Sequence, residues 1–230
     1  MNSAKASSSQ RFQPGETAQT KVWKGKFGRE YTDRNVLGSA ELDSLWLKNY
    51  GVSRSEISGL FLCNIDKRAS ILEVGCNIGN QLLMLQSLGY TNLTGIEIQS
   101  YALNIAKPRV SNVALYQGSA LALPFESNSF DLVFTAGVLI HIAAPDLPQA
   151  LNEIHRCAKQ YIWGTEYFSS EPASVFYHGR GELLWKMDYA KLYLSRFPDL
   201  NLVREERLKY LQTENIDSIF LLRKRETYGA

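Results

Sequence analysis

The segment Ser70–Tyr90, SILEVGCNIGNQLLMLQSLGY, constrains the fold of this 230-residue chain more than any other. An apolar run of strand length ends at Glu73 and Val74, a turn carries Gly75 and Gly79, and Leu82, Leu83, Leu85 and Leu88 follow at helical spacing until Gly89 ends the pattern. The same alternation recurs. NLTGIEI reads as a second strand, SYALNIAK as a short helix stopped by Pro108, and NVALYQG as a third strand. SFDLVFTAG is a fourth, DLPQALNEIHRCA a helix and QYIWGTEYF a fifth strand. Strands and helices alternating at this interval predict right-handed crossovers and a parallel sheet covered on both faces. Toward the end of the chain, ELLWKMDYAKLYLSRF predicts a helix. LNLVREERLKYL and DSIFLLRKRE then predict two strands joined by QTEN, which must be antiparallel because a parallel return needs about a dozen residues.

With 45% hydrophobic residues, the chain can bury one sizeable core. Its 25 basic and 23 acidic side chains leave a formal charge of +2, with no basic stripe to gather nucleic acid or an anionic membrane surface, so a small-molecule partner is expected. Cys63, Cys76 and Cys157 are scattered without metal-ligand spacing, which predicts no metal and a reducing, cytoplasmic compartment. The longest apolar stretch, FDLVFTAGVLIHIAAP, is broken by Asp131 and His141 and is too short to span a bilayer comfortably. Residues 1–20 read as a flexible tail, 21–69 as an N-terminal helical and lid segment, and 70–230 as the main domain. Oligomeric state is not readable.

In doubly wound sheets ligands bind beyond the carboxyl ends of the strands, and the first strand-to-helix turn is the usual seat. Gly75 lets backbone approach a ligand there, and Gly79 allows close packing of the following helix. A dinucleotide fingerprint would need glycine at positions 77 and 80; the chain has Asn77 and Asn80, which disfavours a diphosphate cradle and hence a nicotinamide oxidoreductase. Glu97 closes the second strand about twenty residues on, where a carboxylate can accept both ribose hydroxyls. Its plainer reading is a solvated strand-end acid.

The motifs ILEVGCNIG, LTGIEI, GSALALPF and SFDLVFTAGVLIHI, in this order, resemble those of class I S-adenosylmethionine-dependent methyltransferases over residues 70–225. The resemblance implies an α/β, Rossmann-like sheet of seven strands in the order 3-2-1-4-5-7-6, with strand 7 antiparallel, and S-adenosylmethionine as cofactor. WKGKFGREYTDRN, GCNIGN, GVLIHI, CAKQYIWGTEYF, YHGRGELLWKMDYA and FPDLNLV further resemble the methylases associated with pseudaminic acid biosynthesis. That likeness implies methylation of O or N on a sugar or nonulosonic acid derivative. A methyltransferase of natural products or other small metabolites, and a non-catalytic cofactor-binding protein, stand as alternatives.

Carried over residue by residue, the resemblance assigns Glu73, Gly75, Cys76, Asn77 and Gly79 to cofactor binding, with the turn from Gly75 to Asn77 facing the methionine part, and Glu97 to the ribose. Ser119 and Ala120 would flank the adenine. Ile98 and Leu121 would cover its faces, unless they are plain core. Ser119 stands where many relatives have an aspartate, and Asn77 where they have glycine. Thr135, at the end of the fourth strand, would border the methionine tail. His141 is a candidate general base or, alternatively, a loop buttress; Tyr31 and Glu166 are the other candidate proton acceptors. The N-terminal segment would close as a lid, with Tyr31 over the cofactor and Arg34 forked onto the methionine carboxylate. In the competing reading Trp23 and Phe27 pack on the outside of the sheet. The long segment after strand five supplies Tyr167, Tyr177, His178, Arg180 and Lys186 as candidate substrate residues, unless it is a solvated insertion fastened by its aromatics.

Overall fold

The computed structural model describes residues 17–177 and 180–225, and the side chains of all of these except 177 and 180–182. Four helices lead the chain: α1 (Ala18–Lys24), α2 (Lys26–Arg34), α3 (Ser39–Tyr50) and α4 (Arg54–Leu62). Thr17 caps α1 by accepting from the Thr20 N–H. Helix therefore begins inside the stretch 1–20 that the sequence assigns to a tail, while residues 1–16 lie outside the described residues. Gly51, at φ +76°, ends α3 in the left-handed conformation, and Ser53 with Glu56 forms a reciprocal capping box that starts α4.

The alternating part follows as β1 (Ile71–Val74), α5 (Asn80–Ser87), β2 (Leu93–Glu97), α6 (Ser100–Ala106), β3 (Ala114–Gln117) and β4 (Phe130–Ala136). A short 3-10 turn (Leu139–His141), α7 (Leu147–Cys157) and β5 (Ala158–Tyr167) come next. After a hairpin of β6 (Ala173–Tyr177) and β7 (Arg180–Lys186), the chain ends with α8 (Tyr189–Arg196), β8 (Leu200–Lys209) and β9 (Ile216–Lys224). The main sheet has the order β3-β2-β1-β4-β5-β9-β8. Its pairs are parallel from β3 to β5, and β9 runs antiparallel to both β5 and the edge strand β8. With the β6–β7 hairpin set aside as an insertion, this is the order expected from the sequence.

Central strands buried on both faces read as continuous apolar runs, and alternate residues serve opposite cores. Leu72, Val74, Val133 and Ile162 pack with Leu151 and Ile154 of α7 and with Tyr189 and Tyr193 of α8. Ile71, Leu132, Phe134 and Trp163 pack with Trp46, Phe61, Leu82 and Leu85 from α3, α4 and α5. Each fully buried side chain of this kind contributes about 1.5–3 kcal/mol, which is what holds the helices to the sheet.

The stretch ELLWKMDYAKLYLSRF departs from expectation. Its first part belongs to β7, with Ala173 opposite Lys186, Ser174 opposite Trp185 and Val175 opposite Leu184. The helix begins only at Tyr189, where Asp188 caps it by accepting from the Lys191 N–H. The run of Leu183, Leu184 and Trp185 fits helical and extended spacing equally well, and pairing with β6 decides between them.

Gly164 of β5 lies opposite Phe220 of β9, and a Cβ on it would stand 2.1 Å from Phe220 Cζ. Gly164→Ala is expected to destabilise the fold by about 1–3 kcal/mol through overpacking. Thermal denaturation measures this, and an unchanged melting temperature would mean that the Phe220 ring is not fixed against the strand.

Candidate functional site

A pocket of about 290 Å³ opens beyond the carboxyl ends of β1, β2 and β4. Its floor is the turn after β1. Gly75 (φ +75°), Asn77 (φ 46°) and Gly79 (φ +81°) place three left-handed residues within five positions. A Cβ on Gly75 would stand 2.6 Å from Val138 Cγ2, so the turn and the loop after β4 touch where only glycine fits. Gly79 is not on the pocket wall. It opens α5, where a Cβ would meet Val110 Cγ1 at 2.9 Å, so it serves the close packing anticipated for it without touching a ligand.

Glu97 fixes this floor. Its Oε2 accepts from the Asn77 N–H (2.9 Å) and its Oε1 from the Gln99 N–H (2.9 Å), which ties the turn after β1 to the turn after β2. Burial pushes its pKa above the ordinary carboxylate value, and the donated N–H groups oppose that shift. The Ile98 N–H bonds it as well, so of about four acceptor positions on a carboxylate the backbone takes three. Glu73 is also buried on the wall, and its Oε2 has no partner. Burial drives the Glu73 pKa well up, the Arg54 charge opposes this, and Glu97 adds to it. Cys76, Ile98, Ser119, Ala120 and Leu121 complete the wall on this side, with Ser119 Oγ accepting from the Leu121 N–H at 3.2 Å.

The opposite wall comes from α1 and α2. Gln19 Nε2 donates to the His141 carbonyl (3.1 Å) and Gln19 Oε1 accepts from the Ala143 N–H (2.6 Å), so one amide grips the loop after β4 at two points. Gln99 Nε2 donates to the Trp23 carbonyl at 2.7 Å, and Thr32 Oγ1 lies 3.1 Å from Asn77 Oδ1. Helices α1 and α2 cross at Gly28, where a Cβ would stand 1.9 Å from the Trp23 carbonyl oxygen. Trp23 thus lines the pocket, its ring 5.3 Å from Tyr31 and 4.4 Å from His141. The outside-packing alternative fails for this residue. Neither of the latch residues Gln19 and Gln99 was singled out from the sequence, since each acts through backbone distant in sequence.

His141 is half-buried on the wall with Nδ1 2.8 Å from the Leu183 carbonyl oxygen. A carbonyl only accepts, so Nδ1 carries the proton and Nε2 is the acceptor nitrogen. Burial lowers the His141 pKa to about 4, which keeps the imidazole neutral at physiological pH.

Several expected site residues sit elsewhere. Arg34 is exposed on the last turn of α2 and is not on the pocket wall, because Tyr31 and Asn35, four apart, occupy the inward face. Thr135 is buried beneath the wall, where its side chain bonds Glu166. Glu166 is buried as well: its Oε1 accepts from the Val138 N–H (3.2 Å) and its Oε2 from the Ile140 N–H (3.3 Å), and burial pushes its pKa up to about 7. It braces the loop after β4 from below and does not face the pocket, which removes it from the proton-acceptor candidates. Tyr167 and Lys186 belong to a separate cluster, in which Lys186 Nζ bonds Asn215 Oδ1 and Tyr167 packs edge-on to Tyr210. His178 and the side chains of Tyr177 and Arg180 lie outside the described residues.

Among the described residues of the wall, Glu73 and Glu97 are the acidic side chains, and no lysine or arginine joins them. An acid-only wall, a glycine cradle and an orphaned carboxylate oxygen fit a cationic ligand such as an adenosyl sulfonium bearing an ammonium group. They do not fit a diphosphate.

The architecture is that of a Rossmann-like class I methyltransferase sheet. Residues 71–161 match the family model described as a methyltransferase domain. The chain is 31% identical over 123 residues to 24-methylenesterol C-methyltransferase 2 of Arabidopsis thaliana, covering 48% of this chain and 34% of that protein. It is 29% identical over 153 residues to demethylmenaquinone methyltransferase of Listeria monocytogenes serotype 4a (strain HCC23), covering 63% and 60%. The chain thus spans about a third to three fifths of the length of these relatives. Among solved structures, Burkholderia thailandensis 1,6-didemethyltoxoflavin-N1-methyltransferase with bound 1,6-didemethyltoxoflavin and S-adenosylhomocysteine superposes with a TM-score of 0.63 at 14% identity, over 87% of this chain and 89% of that one. At that identity the likeness shows the fold alone.

Because the folded chain holds the Glu166 proton more tightly than the unfolded chain does, this group adds stability at low pH that is lost as pH rises through about 7. The His141 and His155 pKa values are lowered in the fold, while in the unfolded chain both imidazoles titrate near pH 6.5, so around that pH they oppose the fall. The Glu166 contribution is expected to fall by on the order of 1 kcal/mol between about pH 6.5 and 8, seen as a difference in pH slope between the unaltered chain and Glu166→Gln. Chemical denaturation across the range tests this; an equal slope in the variant would assign the loss to other groups.

Proposed function

We propose that this chain is an S-adenosylmethionine-dependent methyltransferase acting on an O or N atom of a small molecule. The observation that carries this reading is the pocket floor. A left-handed glycine turn is tied to Glu97, the Glu73 oxygen is orphaned, and no cationic side chain joins them among the described wall residues. Glu97 would hold the ribose, Glu73 the ammonium end, Ile98 and Leu121 the adenine faces, and Ser119 and Ala120 its edge. When bound, the cofactor supplies an electrophilic methyl on a positively charged sulfur. The chain's own task is to hold the acceptor in line with that methyl, and positioning of this kind supplies on the order of 7–11 kcal/mol. His141 Nε2 is the acceptor nitrogen of a neutral imidazole on the wall, suited to take a proton from a hydroxyl acceptor; Tyr31, beside Trp23, completes that end of the pocket.

The sequence likeness to pseudaminic-acid-associated methylases favours a sugar or nonulosonic acid derivative as acceptor. A second reading has its own support. Trp23, Tyr31, Val138, Ile142 and neutral His141 present apolar and aromatic surface, and no described cation of the wall could pair with an acceptor carboxylate. This favours an acceptor with an apolar or planar face, and the relatives named for sterol and menaquinone substrates are consistent with it. The free cysteines Cys63, Cys76 and Cys157 support a reducing, cytoplasmic setting. Among the described residues no helix is long and apolar enough to cross a membrane.

S-adenosylmethionine and S-adenosylhomocysteine are expected to raise the melting temperature, by about 2.7 kcal/mol of stabilisation at a hundred times the dissociation constant, while NAD leaves it unchanged. A shift with NAD alone would overturn the cofactor assignment. Labelled cofactor offered with activated sugars, nonulosonic acids, phenols and quinols should yield a methylated product detectable by mass. Binding without product across the panel would favour a non-catalytic role. His141→Gln should keep cofactor binding and slow transfer to a hydroxyl about 10²–10⁴-fold; full activity in that variant would return His141 to a bracing role.

A further inference from the structure

We propose that Arg54 is a positioning residue for the amino-acid end of the cofactor, fixing Gln81 from behind the pocket wall. The proposal rests on the cofactor reading above. Arg54 is the first residue of α4 and is 0% exposed. Both circumstances are unfavourable for a cation. The amino end of a helix carries partial positive charge, and complete burial strips a guanidinium of its hydration. Helix initiation does not require it, since Ser53 and Glu56 already supply the capping box.

The surroundings are built to keep the charge in place. The guanidinium carbon lies 4.7 Å from the Trp46 ring centroid and 4.8 Å from that of Trp163, so two indoles face it. Nε donates to Gln81 Oε1 at 2.8 Å and Nη1 to Thr165 Oγ1 at 3.0 Å. Arg54 thereby links the first turn of α5 to the top of β5. Nη2 is buried without a partner, and so is Oε2 of Glu73. The two side chains make no direct ion pair, yet each acts electrostatically on the other, and Asp217, Tyr50 and Asp43 also act on Arg54. Glu73 and Gln81 both line the pocket; Arg54 stands behind them.

The chemistry follows from this arrangement. Glu73 is enclosed near a second carboxylate, Glu97, and burial together with that neighbour favours its protonated form. A protonated Glu73 still accepts from a ligand ammonium through its carbonyl oxygen. The Arg54 charge opposes that shift without reversing it, and its hold on Gln81 sets the side-chain amide beside the same part of the wall.

The test uses S-adenosylhomocysteine and 5′-methylthioadenosine, which shares the adenosine and thioether but lacks the amino-acid end. Calorimetric dissociation constants are measured for the full chain and for Arg54→Met, Arg54→Lys and Gln81→Leu, with circular dichroism and melting to verify folding. The unaltered chain is expected to bind S-adenosylhomocysteine more tightly. Arg54→Met should lose about tenfold or more of that affinity while 5′-methylthioadenosine changes less than about twofold, and Arg54→Lys should recover part of the loss. If Arg54→Met does not fold, the same selective loss in Gln81→Leu, with a smaller one in Arg54→Lys, supports the proposal. Equal weakening of both ligands, or an unchanged preference in the folded variants, overturns it and leaves Arg54 a structural residue. If the unaltered chain binds neither compound, the cofactor reading itself falls.

Discussion

The rest of the pocket depends on one carboxylate that accepts backbone N–H groups from two separate turns. Glu97 holds Asn77 with one oxygen and Gln99 with the other, and so fixes the turns after β1 and β2 to each other. The turn it holds is locally unfavourable, since Asn77 sits in the left-handed region without the freedom of glycine. A charge-assisted bond to that residue's own N–H offsets the strain where it arises. From Gln99 the order passes outward to the Trp23 carbonyl and to Thr32, and so to the two helices that cover the pocket. Floor and cover are joined through three residues at the end of a single strand.

Around this floor the sheet buries ionisable groups at unusual density, and each has a mechanical partner. Glu166 braces the loop that carries Val138 and Ile140. Asp217 accepts from Tyr50 Oη at 2.6 Å and binds α3 to β9, and Arg54 links α4, α5 and β5. Such groups stabilise a fold less than apolar residues of equal volume would, so their presence at the ligand end of the strands points to geometry that the site requires. The opposite ends of the same strands are closed by ordinary apolar packing and by Ser70 bonding Asp131.

Much of the fold was legible along the chain. β1 to β5 and their helices showed as alternating runs, and the short QTEN connection forced β8 and β9 to be antiparallel. The β6–β7 hairpin was not legible, because seven residues containing Leu183, Leu184 and Trp185 carry no period that separates strand from helix. Within the site, Glu73, Gly75, Cys76, Asn77, Glu97, Ile98, Ser119, Ala120, Leu121, Tyr31 and His141 all line the pocket. Arg34, Thr135, Gly79, Glu166, Tyr167 and Lys186 do not. The motifs identified the strand ends correctly, but one residue along a strand reverses the face, and three along a helix leave a side chain off the inward stripe.

The sequence by itself determined the order of elements from β1 to β5 and in the closing pair of strands, the glycine corner after β1 and the acid at the end of β2, since these follow from local sterics and from periodicities of two and 3.6 residues. Only the tertiary structure decided which side chains at those ends line the pocket, that Gln19 and Gln99 latch the covering helices, and that Arg34, expected on the methionine carboxylate, is exposed off the wall while a buried Arg54 bonds Gln81. Those outcomes depend on which distant backbone groups and charges meet in space, and an isolated segment carries no record of its neighbours.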